Sequence, residues 1–398
     1  MAKRKKKKFR FLKALLAIVV FLGVIYGGYY VWFKLYAQKD SVLGGNWSKT
    51  DAFDINAVKG LGVNSRTEDD LVYDFKILQV ADTHFILGNS LSDKKTYDLI
   101  GKAIDEGKPD LVVFTGDTFA SPFTGYAARA LCDFMEEKQQ YWAYVFGNHD
   151  SEYGISKTRI AEIMLQDKYP HCLFQTGPDG SVYGKSNYFI KLTKGGDIVY
   201  ALSFFDSNMY TMNLNPDTNE EEKYAYIRAD QADYYEWGMK GIAEAAGKGS
   251  INNAAFFHIP LPEYLDLYKN PGADFTGERN ELSEGIWTEG VSSARPFYKD
   301  FDDACDVFAV LKANNCKAIF VGHDHVNNFR GTYDGIYLAY GRGAGFSAYP
   351  YIKGSSGLGK LVSKISADPV YSYDYERAVN FIYLNTTTGG ISVKEFTL

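Results

Sequence analysis

The sequence predicts an α/β fold whose main domain follows an N-terminal helix long enough to span a membrane. The α/β assignment depends on short apolar runs that alternate with segments of helical periodicity from residue 73 onward. The prediction of a membrane helix depends on an uncharged apolar stretch near the N-terminus. A third observation, the position of five histidines directly after predicted strands, indicates where a functional site lies.

Residues 1–13 form a basic tail, and residues 14–33 carry no charged side chain. A helix of about twenty residues matches the roughly 30 Å hydrocarbon core of a bilayer. Aromatic residues near its far end, such as Tyr30 and Trp32, are typical of an interfacial belt. Because basic flanks stay in the cytoplasm, we expect a single-pass signal anchor in the cell membrane, with everything after residue 33 extracellular. A cleaved signal peptide is the alternative.

The net charge of -6 hides two unlike parts of the chain. Residues 1–34 hold nine Lys or Arg and no Asp or Glu, so 34 basic and 49 acidic residues remain for the rest of the chain. An acidic body of this kind argues against binding to duplex nucleic acid. The four cysteines show no C-x-x-C spacing and are interpreted as core thiols, although one disulfide stays open for an exported domain.

Residues 34–72 are interpreted as a stalk and lead-in, and residues 73–398 as one domain. The domain starts with strand–helix–strand–helix–strand order, which predicts a parallel sheet covered by helices. These first elements are Phe75–Ala81, Ser92–Glu106, Leu111–Thr115, Tyr126–Glu137 and Tyr141–Phe146. Further strands are predicted at Ile198–Phe204, Ala254–Phe257, Ala318–Val321 and Gly335–Tyr340, helices at Asp230–Ala246 and Phe301–Ala313, and a hairpin at Asn380–Leu384 and Ile391–Phe396.

Five of the six histidines follow a predicted strand within a few residues. Ligands of open α/β sheets collect beyond the carboxyl ends of strands, so these histidines should meet although they are far apart in sequence. In a D-x-H or H-x-H triplet the outer side chains leave an extended chain on the same side. One such cluster is a weak signal, but five in order argue against unrelated core histidines. The clusters are Asp82-Thr83-His84, Gly116-Asp117, Gly147-Asn148-His149-Asp150, His258 and Gly322-His323-Asp324-His325.

This ordered set resembles the calcineurin-like metallophosphoesterase superfamily, whose pattern is D-x-H, G-D, G-N-H-E/D, H and G-H-x-H. The resemblance covers residues 73–329, and the stretches 256–264 and 321–327 look like the branch related to purple acid phosphatases. It implies a four-layer α/β/β/α sandwich, in which helices cover two facing sheets. It also implies that a water activated by two metal ions hydrolyses a phosphoric ester.

The resemblance further implies a set of metal ligands. Asp117 would bridge two divalent transition-metal ions, and the mixture of nitrogen and oxygen donors suits Mn, Fe or Zn. The remaining ligands would be Asp82, His84 and His325 for the first ion, and Asn148, His258 and His323 for the second. Purple acid phosphatases carry a Tyr three positions after the G-D aspartate. This chain has Ala120 there, so we do not expect a purple Fe(III) enzyme.

The same resemblance implies residues that act on the substrate. His149 would bind no metal; like Asn148 it would contact the phosphate, and it would assist the leaving oxygen. Asp150 stands where many members have Glu and is the candidate for orienting His149. Arg342, in a glycine-rich segment after a predicted strand, would clamp the phosphate, or else it is a surface arginine in a turn.

Hydrolysis of a phosphate-ester substrate is the predicted function, with phosphomonoesters favoured by the branch that the chain resembles. A nucleotide or cell-envelope phosphodiesterase is the enzymatic alternative. A surface protein that uses metal for stability or binding is the non-enzymatic one. Residues 206–226 and 262–291 are expected to form the pocket walls that select the leaving group, but their sequence does not indicate which group that is. Nothing in the sequence indicates the oligomeric state.

Overall fold

Two β-sheets pack face to face, and helices cover their outer sides, in the computed structural model of the chain. The structure describes residues 2–209, 224–277, 305–347 and 376–398, with side chains from residue 13 onward. The larger hydrophobic core lies between the sheets and contains residues of both, such as Phe114 from one and Phe320 from the other. The predicted four-layer α/β/β/α sandwich is therefore confirmed.

The chain begins with a long helix, α1 (Ala2–Trp32), which continues as one π-helical turn, Phe33–Ala37. The apolar stretch Lys13–Ala37 is long enough to cross a bilayer. Apolar side chains such as Leu16 and Val24 are exposed along it, as a membrane helix requires. A signal sequence passes the same test of length and composition.

Residues 34–72 pack onto the domain instead of forming a separate stalk. Within them, β1 (Lys59–Gly62) pairs in parallel with β7 (Tyr188–Lys194). Two short strands, β2 (Arg66–Glu68) and β3 (Leu71–Tyr73), pair with each other. Ala37 is buried, and its carbonyl accepts a hydrogen bond from the Ser156 N–H. The stalk prediction is wrong here because the pairing partners are distant in sequence and local composition does not reveal them.

The first sheet has five strands. Its parallel part consists of β4 (Phe75–Val80), β5 (Leu111–Thr115) and β6 (Trp142–Val145). All residues of these strands are buried, because the second sheet and the helices cover both faces. The predicted C-terminal hairpin is confirmed: β13 (Val379–Asn385) and β14 (Gly390–Phe396) pair, and β13 joins β4 in antiparallel register. The helices α2, α3 and α4 follow the parallel strands and comprise Leu91–Gly107, Thr124–Glu137 and Lys157–Met164.

The second sheet has seven strands in the order β1-β7-β8-β9-β10-β12-β11. Beyond β1 and β7 these are β8 (Asp197–Phe204), β9 (Asn253–Phe256), β10 (Cys316–Val321), β11 (Arg330–Tyr333) and β12 (Ile336–Tyr340). A second hydrophobic cluster packs this sheet against α5 (Ala229–Ala245), α6 (Glu263–Lys269) and α7 (Val307–Ala313). Residues 301–304 of the helix predicted at Phe301–Ala313 lie outside the described residues, as do 210–223 and 278–291 of the expected pocket walls.

The loop between β4 and α2 is held by the buried carboxylate of Asp93. It forms a capping box with Ser90, in which each side chain accepts the other residue's backbone N–H. The carboxylate also accepts three further backbone N–H bonds, from Ile86, Leu87 and Gly88. Burial opposes ionisation of Asp93, but these hydrogen bonds outweigh it and lower the pKa of the carboxyl. One charged side chain therefore fixes the loop that follows the first parallel strand.

We expect Asp93→Ala to lower the free energy of unfolding by about 2–4 kcal/mol, because four partly buried backbone N–H groups lose a charged acceptor. Denaturant unfolding measures the change. Asp98→Ala, at an exposed position of the same helix, is the control and should stay within about 0.5 kcal/mol of the native chain. The pKa of Asp93 is lower in the folded state, so its contribution is present above the unfolded pKa and is lost as the pH falls through the folded pKa. A difference between Asp93→Ala and the native chain that persists at that low pH would contradict this account.

Candidate metal centre

Polar side chains follow five strands at their carboxyl ends, and the structure brings them together. The first sheet provides Asp82 and His84 after β4, Asp117 after β5 and Asn148 after β6; the second provides His258 after β9 and both His323 and His325 after β10. All are buried except His323, which is partly exposed. The site therefore forms only where the edges of the two sheets meet.

A first group of ligand atoms comes from Asp82, His84, Asp117 and His325, and all of them lie within 4.8 Å of one another. The Nε2 atoms of His84 and His325 are 3.2 Å apart. His84 Nε2 lies 3.7 Å from Asp117 Oδ2, and His325 Nε2 lies 3.4 Å from Asp82 Oδ1. Two imidazole nitrogens and two carboxylates that point at one space are suited to a shared cation.

A second group consists of Asp117, His258 and His323, within the same 4.8 Å limit. His258 Nε2 lies 3.1 Å from Asp117 Oδ2 and 3.3 Å from His323 Nδ1. The Asn148 Oδ1 atom joins this group at 3.1 Å from His258 Nε2. Asp117 belongs to both groups, which is the position that the sequence predicts for a bridging carboxylate.

The tautomer of His258 is fixed by a backbone carbonyl. Its Nδ1 atom lies 2.8 Å from the carbonyl oxygen of Thr115. Because a carbonyl only accepts hydrogen bonds, Nδ1 carries a proton. In the neutral ring the lone pair then resides on Nε2, which points at Asp117 and Asn148. A histidine that donates its outer N–H in this way is typical of metal sites.

Burial and charge set the protonation of the cluster. Burial lowers the pKa of His84 to about 4 and holds the pKa of His325 well below its usual range. Burial also raises the pKa of Asp82 well above that of a free carboxyl. Burial opposes ionisation of Asp117 as well, but the histidines, His258 first, outweigh it and hold its pKa well below the usual range. Asp117 in turn outweighs burial at His258 and raises the pKa of that ring to about 9.

The backbone at the strand ends is strained. Asp82, His84, Asp117 and His323 have φ values of 53°, 46°, 48° and 75°, in the left-handed region that costs non-glycine residues about 1–3 kcal/mol each. Gly116, which precedes Asp117, has φ 88°, and a Cβ atom there would lie 2.6 Å from the His258 ring. Glycine is needed at that position both for its conformation and for the close approach of the ring. The surrounding sheets must stabilise this strain, which lets the ligands turn towards one point.

The donor set fits divalent transition-metal ions. It combines imidazole nitrogens, two carboxylates and one neutral amide oxygen, a mixture typical of Mn, Fe and Zn sites. The buried Asp/His cluster is thus suited to binding metal ions. Ala120, at the position where purple acid phosphatases carry a Tyr ligand, offers only a methyl group.

His149 lies beside the cluster and is oriented by Glu152. Its backbone N–H donates to Asp117 Oδ1 over 2.8 Å. Its ring Nδ1 lies 2.5 Å from Glu152 Oε2. Burial opposes protonation of the ring, but Asp117 and Glu152 outweigh it and raise the pKa of His149. With Nδ1 bonded to Glu152, the Nε2 atom is left to act on another group.

Asp150 does not orient His149, so that prediction is wrong. Its buried carboxylate accepts N–H bonds from the backbone of Gly147, Thr118 and Phe119 at 2.6–2.8 Å. It therefore ties the loop after β6 to the loop after β5. Sequence reasoning missed Glu152. Its spacing of three residues from His149 is a signal in the sequence that could have identified it. In the structure the two residues form a turn, in which the Glu152 N–H donates to the His149 carbonyl.

Arg342 is also placed differently from its prediction as a phosphate clamp. The residue is buried, and its guanidinium Nη1 lies 3.6 Å from Glu395 Oε1 on β14. The same nitrogen donates to the carbonyl of Glu376 over 3.4 Å. Through these contacts Arg342 connects the loop after β12 with the C-terminal hairpin, and its side chain is directed towards the first sheet.

The sixth histidine, His171, lies away from the cluster. Its Nδ1 atom is 2.8 Å from Glu136 Oε1 at the end of α3. This histidine follows no predicted strand, so the sequence does not place it in the site. Its pair with Glu136 is a second His–Glu contact of the same chemistry as that of His149 and Glu152.

Known proteins resemble this chain over most of its length. It is 29% identical over 308 residues to a protein of Arabidopsis thaliana named "Probable inactive purple acid phosphatase 29", covering 69% of this chain and 73% of that one. It is 30% identical over 300 residues to Phosphatase DCR2 of Saccharomyces cerevisiae, covering 68% of this chain and 48% of that one. Among solved structures, a dimetal phosphatase from Danio rerio matches 81% of this chain and 96% of its own, with 14% identity and a TM-score of 0.45.

A sequence model of one family matches the part of the chain that carries the site. The matched residues, 75–327, run from β4 to the loop after β10 and include every residue of the cluster. They also include His149 and Glu152. The match covers well over half of the chain, and the chain therefore belongs to the calcineurin-like phosphoesterase family.

Proposed function

We propose that this chain hydrolyses phosphoric esters, with phosphomonoesters favoured, at a site that holds two divalent transition-metal ions. The observation that carries the proposal is the shared position of Asp117 in two adjoining groups of ligand atoms. Asp82, His84 and His325 would complete the first group, and Asn148, His258 and His323 the second. When bound, two such ions supply Lewis-acid activation of water and of the phosphoryl oxygens.

The residues beside the cluster have separate tasks in this proposal. His149 contacts the phosphoryl group through Nε2 and gives its proton to the departing oxygen, a step that typically contributes about 10²–10⁴-fold. Glu152 accepts from Nδ1 and keeps the ring in the orientation that presents Nε2. Asn148 binds as a neutral amide, so it leaves the positive charge of the site available to an anionic substrate. It is also positioned to contact the phosphate.

The proposed place of action is the outer face of a membrane. The length and apolar composition of α1 support a membrane span. We propose that it is an uncleaved anchor whose basic tail stays in the cytoplasm, so that the domain lies outside the cell. The metals we propose are Mn, Zn or Fe(II), because Ala120 cannot supply the phenolate that a purple Fe(III) centre needs. The alternative activity is that of a nucleotide or cell-envelope phosphodiesterase, and the same site residues support it.

A metal-stabilised binding protein is the non-enzymatic alternative, and it is favoured by the word "inactive" in the names of several relatives. An assay of the full chain with Mn(II) on p-nitrophenyl phosphate and on its bis ester distinguishes the phosphoesterase from the binding protein. Hydrolysis of the monoester at the higher rate is the expected result. Bound metal without turnover of either ester would favour the binding protein.

We expect Asp117→Asn to weaken both ions together, because its carboxylate faces both groups of ligands. Metal content after dialysis, measured by mass spectrometry, should fall from about two ions per chain to less than one. His84→Ala removes a ligand of the first group alone and should leave about one ion. An Asp117→Asn chain that keeps one full ion would show that the carboxylate does not bridge.

We expect His149→Ala to lower kcat by about 10²–10⁴-fold while metal content stays near that of the native chain. Glu152→Gln should lower kcat by about tenfold or more, because the uncharged amide orients the ring less well and no longer favours its protonation. Steady-state kinetics and metal analysis of the same preparations provide the comparison.

The matched control is Glu136→Gln, which changes the other His–Glu pair at a distance from the cluster. It should leave kcat and KM unchanged. Loss of metal in His149→Ala would mean that His149 is a ligand, and equal effects of Glu136→Gln and Glu152→Gln would remove the orienting role from Glu152.

A further inference from the structure

Large apolar side chains are exposed on the loops that surround the metal centre. We call four of them the apolar rim: Leu91 at the start of α2, Phe123 and Tyr126 at the start of α3, and Tyr153 four residues after His149. Their exposures are 83%, 50%, 70% and 49%. All four follow the carboxyl ends of β4, β5 and β6, the strand ends that also carry the first-sheet ligands. The rim therefore borders the entrance to the site.

The three loops of the rim pack directly on one another. A Cβ atom on Gly154 would lie 2.4 Å from Thr124 Oγ1, and Gly125 lies against the Ile155 side chain. The Ser121 hydroxyl donates to the carbonyl of Ile86 in the loop that precedes α2. The loops that carry the rim are thus joined to one another by these contacts.

The membrane helix ends on the same loops. The Ser156 N–H donates to the Ala37 carbonyl over 2.7 Å. The Gln38 side-chain amide donates to the Gly154 carbonyl over 2.7 Å and to the Ser151 carbonyl at 3.4 Å, so its two acceptors flank Glu152. Phe33, the last residue of the uncharged stretch, already packs against the main core. There is accordingly no spacer between the helix and the loop that carries His149 and Glu152.

The length of this junction fixes how far the rim can lie from the bilayer. Phe33–Ala37 is one helical turn, and a helix rises about 1.5 Å per residue, so the turn spans roughly 6–8 Å. The interfacial layer of a bilayer is of similar thickness, roughly 5–8 Å on each side. With α1 in a bilayer, the loop of residues 151–156, which carries Tyr153, would lie near the level of the lipid head groups, and the other rim residues are on loops that contact it.

We propose that the apolar rim inserts into the outer leaflet that holds α1, and that the substrate is a phosphate monoester carried by a lipid of that leaflet. The inference rests on the proposed phosphoesterase function and names the substrate class of the same site. Exposed leucine and aromatic side chains are costly in water but favourable in the interfacial layer, where aromatic rings are enriched. The continuity of the rim with the membrane helix identifies the bilayer, rather than a partner protein, as the surface that covers it.

The reaction balances without any further reactant. The oxygen of one water forms a bond to phosphorus, and the bond between phosphorus and the lipid oxygen breaks with its electron pair on that oxygen. The lipid oxygen takes a proton from His149, which the water's proton later restores. The products are inorganic phosphate, which leaves into water, and an uncharged lipid alcohol, which stays in the leaflet.

The test uses the full chain in phosphatidylcholine vesicles that contain phosphatidic acid. Phosphate release from phosphatidic acid is compared with turnover of p-nitrophenyl phosphate added to the same vesicles. The combined variant Leu91→Ser, Phe123→Ser, Tyr126→Ser should lower the ratio of the two rates by about tenfold, because three exposed apolar groups no longer enter the leaflet. The matched control is Val72→Ser, Tyr141→Ser, Leu165→Ser, at three exposed apolar positions away from the rim, and its ratio should equal that of the native chain.

A second measurement is independent of catalysis. In a chain that also carries Trp32→Phe, Tyr126→Trp and Tyr141→Trp each add one indole, and brominated phosphatidylcholine should quench the emission added by the first and spare that added by the second. Hydrolysis of the soluble ester without hydrolysis of phosphatidic acid, or an unquenched indole at position 126, would overturn the lipid substrate alone. An equal fall of the ratio in both combined variants would do the same. No turnover of either ester with metal bound would instead overturn the phosphoesterase proposal, and this inference with it.

Discussion

The buried carboxylate of Asp117 is the constraint on which the rest of the site depends. It is almost fully shielded from water, and an ionised carboxylate in such a place needs compensating charge and hydrogen bonds. It obtains them from the backbone N–H of His149 and from the rings of His258 and His84. Each of these partners comes from a different loop, so the position of one side chain links the ends of several strands.

This arrangement couples folding to the formation of the site. The first sheet supplies Asp82, His84, Asp117 and Asn148, and the second supplies His258, His323 and His325. Neither sheet alone holds a complete group of ligands. The strained backbone at four of these positions is stable only because the strands on either side are paired and packed between covered faces. The cost of the strain is therefore balanced by the core between the sheets.

The sequence predicts the parts of this structure that depend on local pattern. Apolar runs end in Asp82 after β4 and in Gly116-Asp117 after β5, and the ligands follow at fixed spacing, so the cluster is predictable residue by residue. The contacts that the neighbouring residues make around the ligands are not predictable, because they depend on which distant groups the fold brings near. Asp150 and Glu152 are both acidic and both close to His149 in sequence, and only the packing of the loop after β5 decides that Asp150 binds backbone N–H groups. Arg342 and strand β1 are similar cases, since Glu395 and β7 lie far away along the chain.

The junction between the helix and the domain bears on the choice of substrate class. A tether that only retained an enzyme near a membrane would function with a long linker, because flexible chains cost little to lengthen. Here the segment after the helix is hydrogen-bonded to the domain from Ala37 to Gly44, where Asp179 accepts two backbone N–H bonds. If α1 spans a bilayer as proposed, the membrane surface near the entrance would obstruct large water-soluble substrates from that side. It would not obstruct a substrate that lies in the leaflet, and a rigid junction would hold the same loops at the membrane surface. In the proposed setting the fixed junction would therefore favour a lipid-borne ester over a bulky soluble one.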